Sequence, residues 1–383
     1  MIDKRYIEKF RQVETPFYFY DLDVLKKTLE TIRKESVKAG YVSHYALKAN
    51  PNPRILKLIA SYGFGADCVS WNEIAAALEA GFPASGIVFA GVGKSDREIE
   101  NALKADIFCF NCESIPEMEV INEIAAKHNK TARIALRINP YIDAHTHKYI
   151  TTGIEESKFG INIEALGDVV KRLADLKRLK LIGIHFHVGS QITRMSVFKS
   201  LCARINELQD WFSERNLELS VINVGGGLGI DYEDPSKDPG FPEYFALLGE
   251  FIKLRPGQTL HLEPGRSIVG QCGSLITRVL YVKSGTNTLF AIVDAGMTDL
   301  IRPALYQAKH KIENITSDEE TLKYDVVGPI CESSDTFGKQ IELSATKRGD
   351  LIAIRSAGAY GEAMASRYNL RDLPKAVFSE DLF

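Results

Sequence analysis

Between residues 41 and 263 the sequence repeats one alternation eight times: a short apolar run, then a longer stretch with helical spacing. The runs are 41–47, 65–68, 87–90, 107–110, 132–138, 181–188, 220–224 and 259–263. Between them lie helix-like stretches such as 53–62, 72–80, 114–128, 163–176 and 197–215. Continuous apolar runs suit strands buried on both faces, and helix-sized connections require parallel pairing with right-handed crossovers. Eight such units predict a (β/α)8 barrel, an α/β fold, better than an open doubly wound sheet.

After Pro264 the rhythm changes. The segments 279–282, 288–293, 324–327 and 351–354 are strand-like and no long amphipathic helix separates them. This predicts a second, mostly antiparallel β domain over 266–383, following a barrel over 21–265. The segment 15–20 is strand-like too, and residues 1–20 are expected to lend that domain a strand.

Composition enters by exclusion. Lys and Arg number 47 against 50 Asp and Glu, for a net charge of -3. With no basic excess to neutralise phosphates, nucleic acid is not expected as a partner. No apolar run approaches the roughly 18 residues of a membrane span. The opening residues lack a charged segment followed by an apolar one, and six cysteines in 383 residues are sparse. A reducing, cytoplasmic setting with free thiols is therefore expected. Cys109 and Cys112 form a C-x-x-C, but no helix start or second ligand pair accompanies it, so both read as small buried hydrophobes.

Chemistry in such a barrel collects at the C-terminal ends of the strands. The first strand ends in Lys48-Ala49-Asn50, the second near Asp67, and the fifth carries Arg137. The sixth carries His185-Phe186-His187-Val188-Gly189-Ser190, with both histidines on one face. A metal pair is one reading, but no third histidine and no convincing carboxylate ligand at the other strand ends completes a metal site. A packed core histidine is the alternative, and it suits His185. The seventh strand runs into Gly225-Gly226-Gly227, whose backbone N–H groups can approach an anion unobstructed. The eighth ends in Glu263-Pro264-Gly265-Arg266. A lysine, a carboxylate, a stacking histidine and a glycine cradle around one mouth are what pyridoxal 5'-phosphate requires. The amine forms a Schiff base, the carboxylate keeps the pyridinium protonated and the histidine covers the ring. No metal is expected.

From Tyr45-Ala46-Leu47-Lys48-Ala49-Asn50 to Ala359-Tyr360-Gly361-Glu362-Ala363-Met364 the chain resembles the fold-type III pyridoxal-phosphate decarboxylases of the diaminopimelate/ornithine decarboxylase family. The resemblance implies that Lys48 carries the cofactor, with Asp67 nearby, and that His187 stacks on its ring. It implies that Ser190, Gly225, Gly226, Gly227, Gly265 and Arg266 hold the phosphate, that Glu263 pairs with the pyridine nitrogen, and that Tyr360 closes over the phosphate. Cys331-Glu332-Ser333-Ser334-Asp335 resembles the segment whose cysteine is the acid at the reacting carbon. In such enzymes that segment enters the site from the partner subunit, which implies a homodimer with shared active sites. Catalytic roles thus fall to Lys48, Cys331, His187 and Glu263.

In the family, Arg266, Arg302, Tyr306 and Tyr360 face the substrate. Arginine forks suit a distal carboxylate, whereas a simple diamino acid calls for an acidic partner. With Glu332 on the distal ammonium, the substrate implied is meso-2,6-diaminopimelate, decarboxylated to L-lysine and CO2 at the end of lysine biosynthesis. Lysine, ornithine or carboxynorspermidine as substrate, a racemase-like activity, or a non-catalytic binder are the alternatives. Trp71, Arg194 and Glu362 depart from the family pattern and bear on the shape of the substrate pocket.

Overall fold

The computed structural model describes residues 2–142 and 158–383. Eight strands, β2 (Val42–Ala46), β3 (Gly65–Cys68), β4 (Ile87–Phe89), β5 (Cys109–Cys112), β6 (Ala132–Arg137), β7 (Leu179–His185), β8 (Val221–Asn223) and β9 (Thr259–Leu262), close into a parallel barrel in chain order. β2 shuts it against β9, with Val42 opposite His261 and Ser43 opposite Leu262. The expected barrel is therefore present. Its strands are buried almost throughout, because helices cover the outer face and side chains such as Val88, Cys109, Ala135, Ile182 and Val221 pack together within.

Caps begin the helices as soon as the strands end. Asn52, Ser70 and Ser114 each accept a backbone N–H of the first turn, from Arg54, Glu73 and Glu117. Each cap is worth about 0.5–2 kcal/mol. Starting a helix this promptly keeps the βα connections at the mouth short, which is how the fold fixes the residues at the strand ends.

The remaining strands are β1 (Phe17–Tyr20), β10 (Gly273–Ser284), β11 (Leu289–Val293), β12 (Ile312–Asn314), β13 (Thr321–Val327), β14 (Thr336–Ser344), β15 (Leu351–Ile354) and β16 (Lys375–Phe378). They form one sheet ordered β12-β15-β10-β11-β13-β14, with β1 between β10 and β16. β11 with β13 and β1 with β16 are parallel, and the other pairs are antiparallel. The helix Lys4–Phe10 lays Tyr6 and Phe10 on Phe17, Phe19, Ile276, Leu351 and Ala353. By contacts the chain divides into two compact units. One is Leu29–Gly229 with Gly240–Gly265; the other is Met1–Thr28, Ile230–Pro239 and Arg266–Phe383.

Candidate active site

Lys48 sits in a single 3-10 turn, Leu47–Ala49, directly after β2. Its Nζ lies 3.6 Å from Oδ2 of Asp67 on β3, and the Asp67 side chain is only 2% exposed. Burial, with the negative charge of Glu263 adding to it, pushes the Asp67 carboxyl up to about 7, against the opposing charge of Lys48. Asp67 Oδ1 is buried with no hydrogen-bond partner among the described residues. Gly265 packs on the same turn: a Cβ there would stand 3.0 Å from Ala46 Cβ and 3.1 Å from Ala49 Cβ. A side chain at 265 would therefore displace the turn that carries the lysine.

Glu263 follows β9 and is held by donors from three strand ends. His185 Nε2, at the end of β7, lies 2.8 Å from Oε2. Asn223 Nδ2, at the end of β8, donates to Oε1 at 2.7 Å, and Asn111 Nδ2 on β5 does so at 3.4 Å. Burial alone would raise this carboxyl, but the charge and hydrogen bond of His185 outweigh it and hold the group below the usual carboxylate range. Two buried carboxylates, Asp67 and Glu263, are thus driven in opposite directions by their surroundings, a pattern that separates a proton-exchanging group from a fixed anion.

His187 lies in the loop beyond β7, where its Nδ1 accepts the Gly226 N–H at 3.4 Å. Desolvation, with the charges of Lys48 and Arg137 adding to it, lowers its pKa well below the ordinary value, so the ring is neutral at pH 7. The glycine loop after β8 is built against backbone. A Cβ on Gly225, at φ +69°, would meet Phe186 O at 2.1 Å, and one on Gly226 would meet Glu263 O at 2.3 Å. Asn223 Oδ1 accepts the Gly225 N–H at 2.9 Å and fixes the turn. Ser190 closes the His187 loop just after Gly189.

This donor set fits pyridoxal phosphate: a lysine amine, an ionised carboxylate held by His185, Asn223 and Asn111, a neutral imidazole, and glycine backbone that no Cβ obstructs. Among the described residues no group of three or more His, Cys, Asp or Glu is placed to hold a metal ion. Cys109 and Cys112 are both buried, and burial pushes both thiols well up, so neither is a ready thiolate.

The unit containing the antiparallel sheet holds Arg266, Arg302, Tyr306, Cys331, Glu332, Tyr360 and Glu362. Arg266 opens the short helix Arg266–Val269, is buried, and lies over the Tyr360 ring at 4.8 Å. Tyr360 itself takes a positive φ of 56°, uncommon for a bulky residue. Arg302 opens, and Tyr306 ends, the helix Arg302–Tyr306. Cys331 and Glu332 are exposed, and Glu332 Oε1 accepts the Tyr368 hydroxyl at 2.7 Å. Asp335 shapes this segment by accepting the N–H groups of Ile330 and Met297, at 2.7 and 2.6 Å. Glu362, in place of an aromatic residue, accepts the Tyr20 hydroxyl at 2.6 Å. The Trp71 backbone N–H donates to Glu98, and Arg194 precedes the helix Met195–Ser213.

Sequence reasoning missed His185, Asn111 and Asn223. Asn111 lies inside the C-x-x-C, so that motif matters for the amide between its thiols. The sequence suits a core histidine at His185; it is buried, but its partner is the ionised Glu263. Its place on the strand one pleat from His187 was the available signal. Arg137 pairs with Glu113 at 2.6 Å, and both are buried.

Residues 22–270 match the sequence family described as pyridoxal-dependent decarboxylase, pyridoxal binding domain. A diaminopimelate decarboxylase of Bacteroides thetaiotaomicron is 60% identical over 379 residues, 98% of each chain. The crystal structure of diaminopimelate decarboxylase from Helicobacter pylori complexed with L-lysine superposes with a TM-score of 0.92 at 42% identity, covering 97% of this chain and 94% of that one. The crystal structure of diaminopimelate decarboxylase from m. jannaschii in co-complex with L-lysine gives 0.90 at 34% identity, covering 98% of this chain and 89% of that one.

Proposed function

This chain belongs to the pyridoxal-dependent decarboxylases, and on that premise we propose that it converts meso-2,6-diaminopimelate to L-lysine and CO2 with pyridoxal 5'-phosphate bound at the barrel mouth. The observation that carries the reading is the near end-to-end relatedness to diaminopimelate decarboxylases, some of them crystallised with the product L-lysine.

When bound, the cofactor supplies an electron sink for the pair left at the substrate's α-carbon as CO2 departs. Lys48 holds it through its amine, and Asp67, with its carboxyl near 7, exchanges a proton with that amine. Glu263, kept ionised by His185 and steadied by Asn223 and Asn111, keeps the pyridine nitrogen protonated. His187 covers the ring as a neutral group. Ser190, Gly225, Gly226, Gly227, Gly265 and Arg266 bind the phosphate. Arg266, Arg302, Tyr306 and Tyr360 take the distal carboxylate, a role that suits arginine forks.

We assign the barrel, 21–265, to the cofactor and the β domain, 266–383 with the strand from 1–20, to substrate recognition. The working unit in this reading is a homodimer. Cys331 of the partner subunit returns a proton to the α-carbon, and Glu332 of the partner subunit takes the distal ammonium. The exposure of both residues supports a role across an interface. A cytoplasmic setting agrees with six cysteines that form no disulfide. No helix among the described residues is long and apolar enough to cross a membrane.

The test is CO2 release from meso-diaminopimelate, lysine, ornithine and carboxynorspermidine, side by side with added pyridoxal phosphate. The expected result is turnover of meso-diaminopimelate far above the other three, with lysine as product. Equal or faster release from ornithine overturns the substrate and leaves the fold and cofactor standing.

A further inference from the structure

Tyr232 belongs to the segment Ile230–Pro239, which groups with the antiparallel sheet, and no motif drew attention to it. Its phenol oxygen accepts from two cations at once: Arg266 NH1 at 2.6 Å and Arg302 NH1 at 2.7 Å. The Arg302 guanidinium also lies over the Tyr232 ring, 5.0 Å from its centroid. His310 stands edge-on to that ring with centroids 4.9 Å apart.

His310 fixes what is left of Arg302. Burial, with the charge of Arg302 adding to it, lowers the imidazole to about 3, so it is neutral. An arginine only donates, so the 3.1 Å contact makes His310 Nε2 the acceptor and leaves Nδ1–H to donate to Arg355 O at 2.9 Å. Both protons on Arg302 NH1 are then used within the protein, one by Tyr232 and one by His310. Arg302 is 4% exposed, and its Nε has no hydrogen-bond partner among the described residues. The edge of the guanidinium through Nε is therefore the one left to a ligand, and it is an edge that matches a carboxylate.

The phenol follows the same logic. A tyrosine oxygen has two lone-pair directions and one proton. Two guanidinium donors occupy the acceptor side, so the proton is turned away from both cations and is left to donate to a ligand acceptor such as a carboxylate. We propose that Tyr232 is a specificity-determining ligand: it donates its phenol proton to the distal carboxylate of the substrate while tying Arg266 and Arg302 together. This rests on the reading that the substrate is meso-diaminopimelate.

The test uses Tyr232→Phe as the cofactor-loaded protein, with three probes. L-Lysine keeps the distal carboxylate, 1,5-diaminopentane is lysine without it, and meso-diaminopimelate reports turnover. A hydrogen bond to a charged group predicts about a tenfold or greater loss of L-lysine affinity and a matching rise in KM. Binding of 1,5-diaminopentane stays unchanged and kcat stays within about threefold. Unchanged L-lysine affinity overturns the proposal. So does equal weakening of both amines, a collapse of kcat, or failure to load the cofactor, each of which marks a structural role. Wild-type protein that prefers a substrate without a distal carboxylate overturns the substrate reading itself, before the variant is measured.

Discussion

Replacing Glu263 by Gln removes one charge and almost no volume from the barrel mouth. The carboxylate accepts from His185 Nε2 at 2.8 Å, Asn223 Nδ2 at 2.7 Å and Asn111 Nδ2 at 3.4 Å. An amide keeps one acceptor oxygen, which can serve Asn223. Its NH2 then faces His185 Nε2, which must give up its proton to accept. The pyridine nitrogen of the cofactor loses its anion in the same step. A charge-assisted hydrogen bond is worth about 1.5–3 kcal/mol, and a unit charge about 4 Å away contributes about 4 kcal/mol at an effective dielectric near 20. Those magnitudes correspond to a fall in kcat of roughly 10²-fold to 10³-fold. The assay is steady-state CO2 release, with visible absorbance to confirm a loaded cofactor and a thermal melt to confirm the fold. A loaded, folded variant with kcat within threefold of wild type would refute the assigned role of Glu263.

Three further outcomes follow from the barrel. Gly226→Ala sets a Cβ 2.3 Å from Glu263 O, a backbone atom that cannot swing away, so cofactor affinity should drop about tenfold or more by absorbance titration; unchanged affinity would remove the glycine loop from the phosphate site. Asp67 titrates near 7 in the folded protein and near 3.8 when unfolded, so the folded state binds the extra proton between those values. Stability of the cofactor-free protein should therefore fall as pH rises from about 4 to 7, with a slope of up to about 1.4 kcal/mol per pH unit from this group, and Asp67→Asn should remove that component in urea melts. Lys94, whose side chain is 1% exposed, bonds to Glu117 and to the carbonyls of Gly91 and Asn111. Lys94→Met strands a buried carboxylate and should cost about 3–5 kcal/mol in chemical denaturation, whereas a loss below about 1 kcal/mol would show that water or another cation replaces the pair.

The barrel was legible because each strand is a local apolar run and each helix a local period. Strand ends were less so. The fourth run points to a strand over 107–110, but β5 spans Cys109–Cys112 after a positive φ at Asp106, and polar Asn111 faces Glu263 inside the barrel. The sixth was expected to reach Val188, yet β7 stops at His185; Phe186 and Val188 are apolar because a buried loop follows. β14 escaped notice because Lys339, Gln340 and Glu342 interrupt its apolar residues on an exposed stretch.

The site divides along similar lines. Lys48, the glycine loop and Glu263 stand out as residue types at strand ends. His185 gains its meaning from a partner 78 residues away, and Tyr232 from one 70 residues away. No periodicity carries such pairings, since they exist only once the barrel is closed or the β unit is folded. The C-x-x-C misdirects for the same reason: its thiols are conspicuous in sequence, while the Asn111 amide matters only against Glu263.

The central claim is that Lys48 carries the cofactor on which meso-diaminopimelate is decarboxylated. Borohydride reduction of the cofactor-loaded protein, followed by digestion and mass spectrometry, tests it directly. The expected result is a pyridoxyl-phosphate adduct on Lys48, with loss of CO2 release in proportion to labelling. An adduct on another lysine with Lys48 unmodified, or full activity in Lys48→Ala, would contradict it.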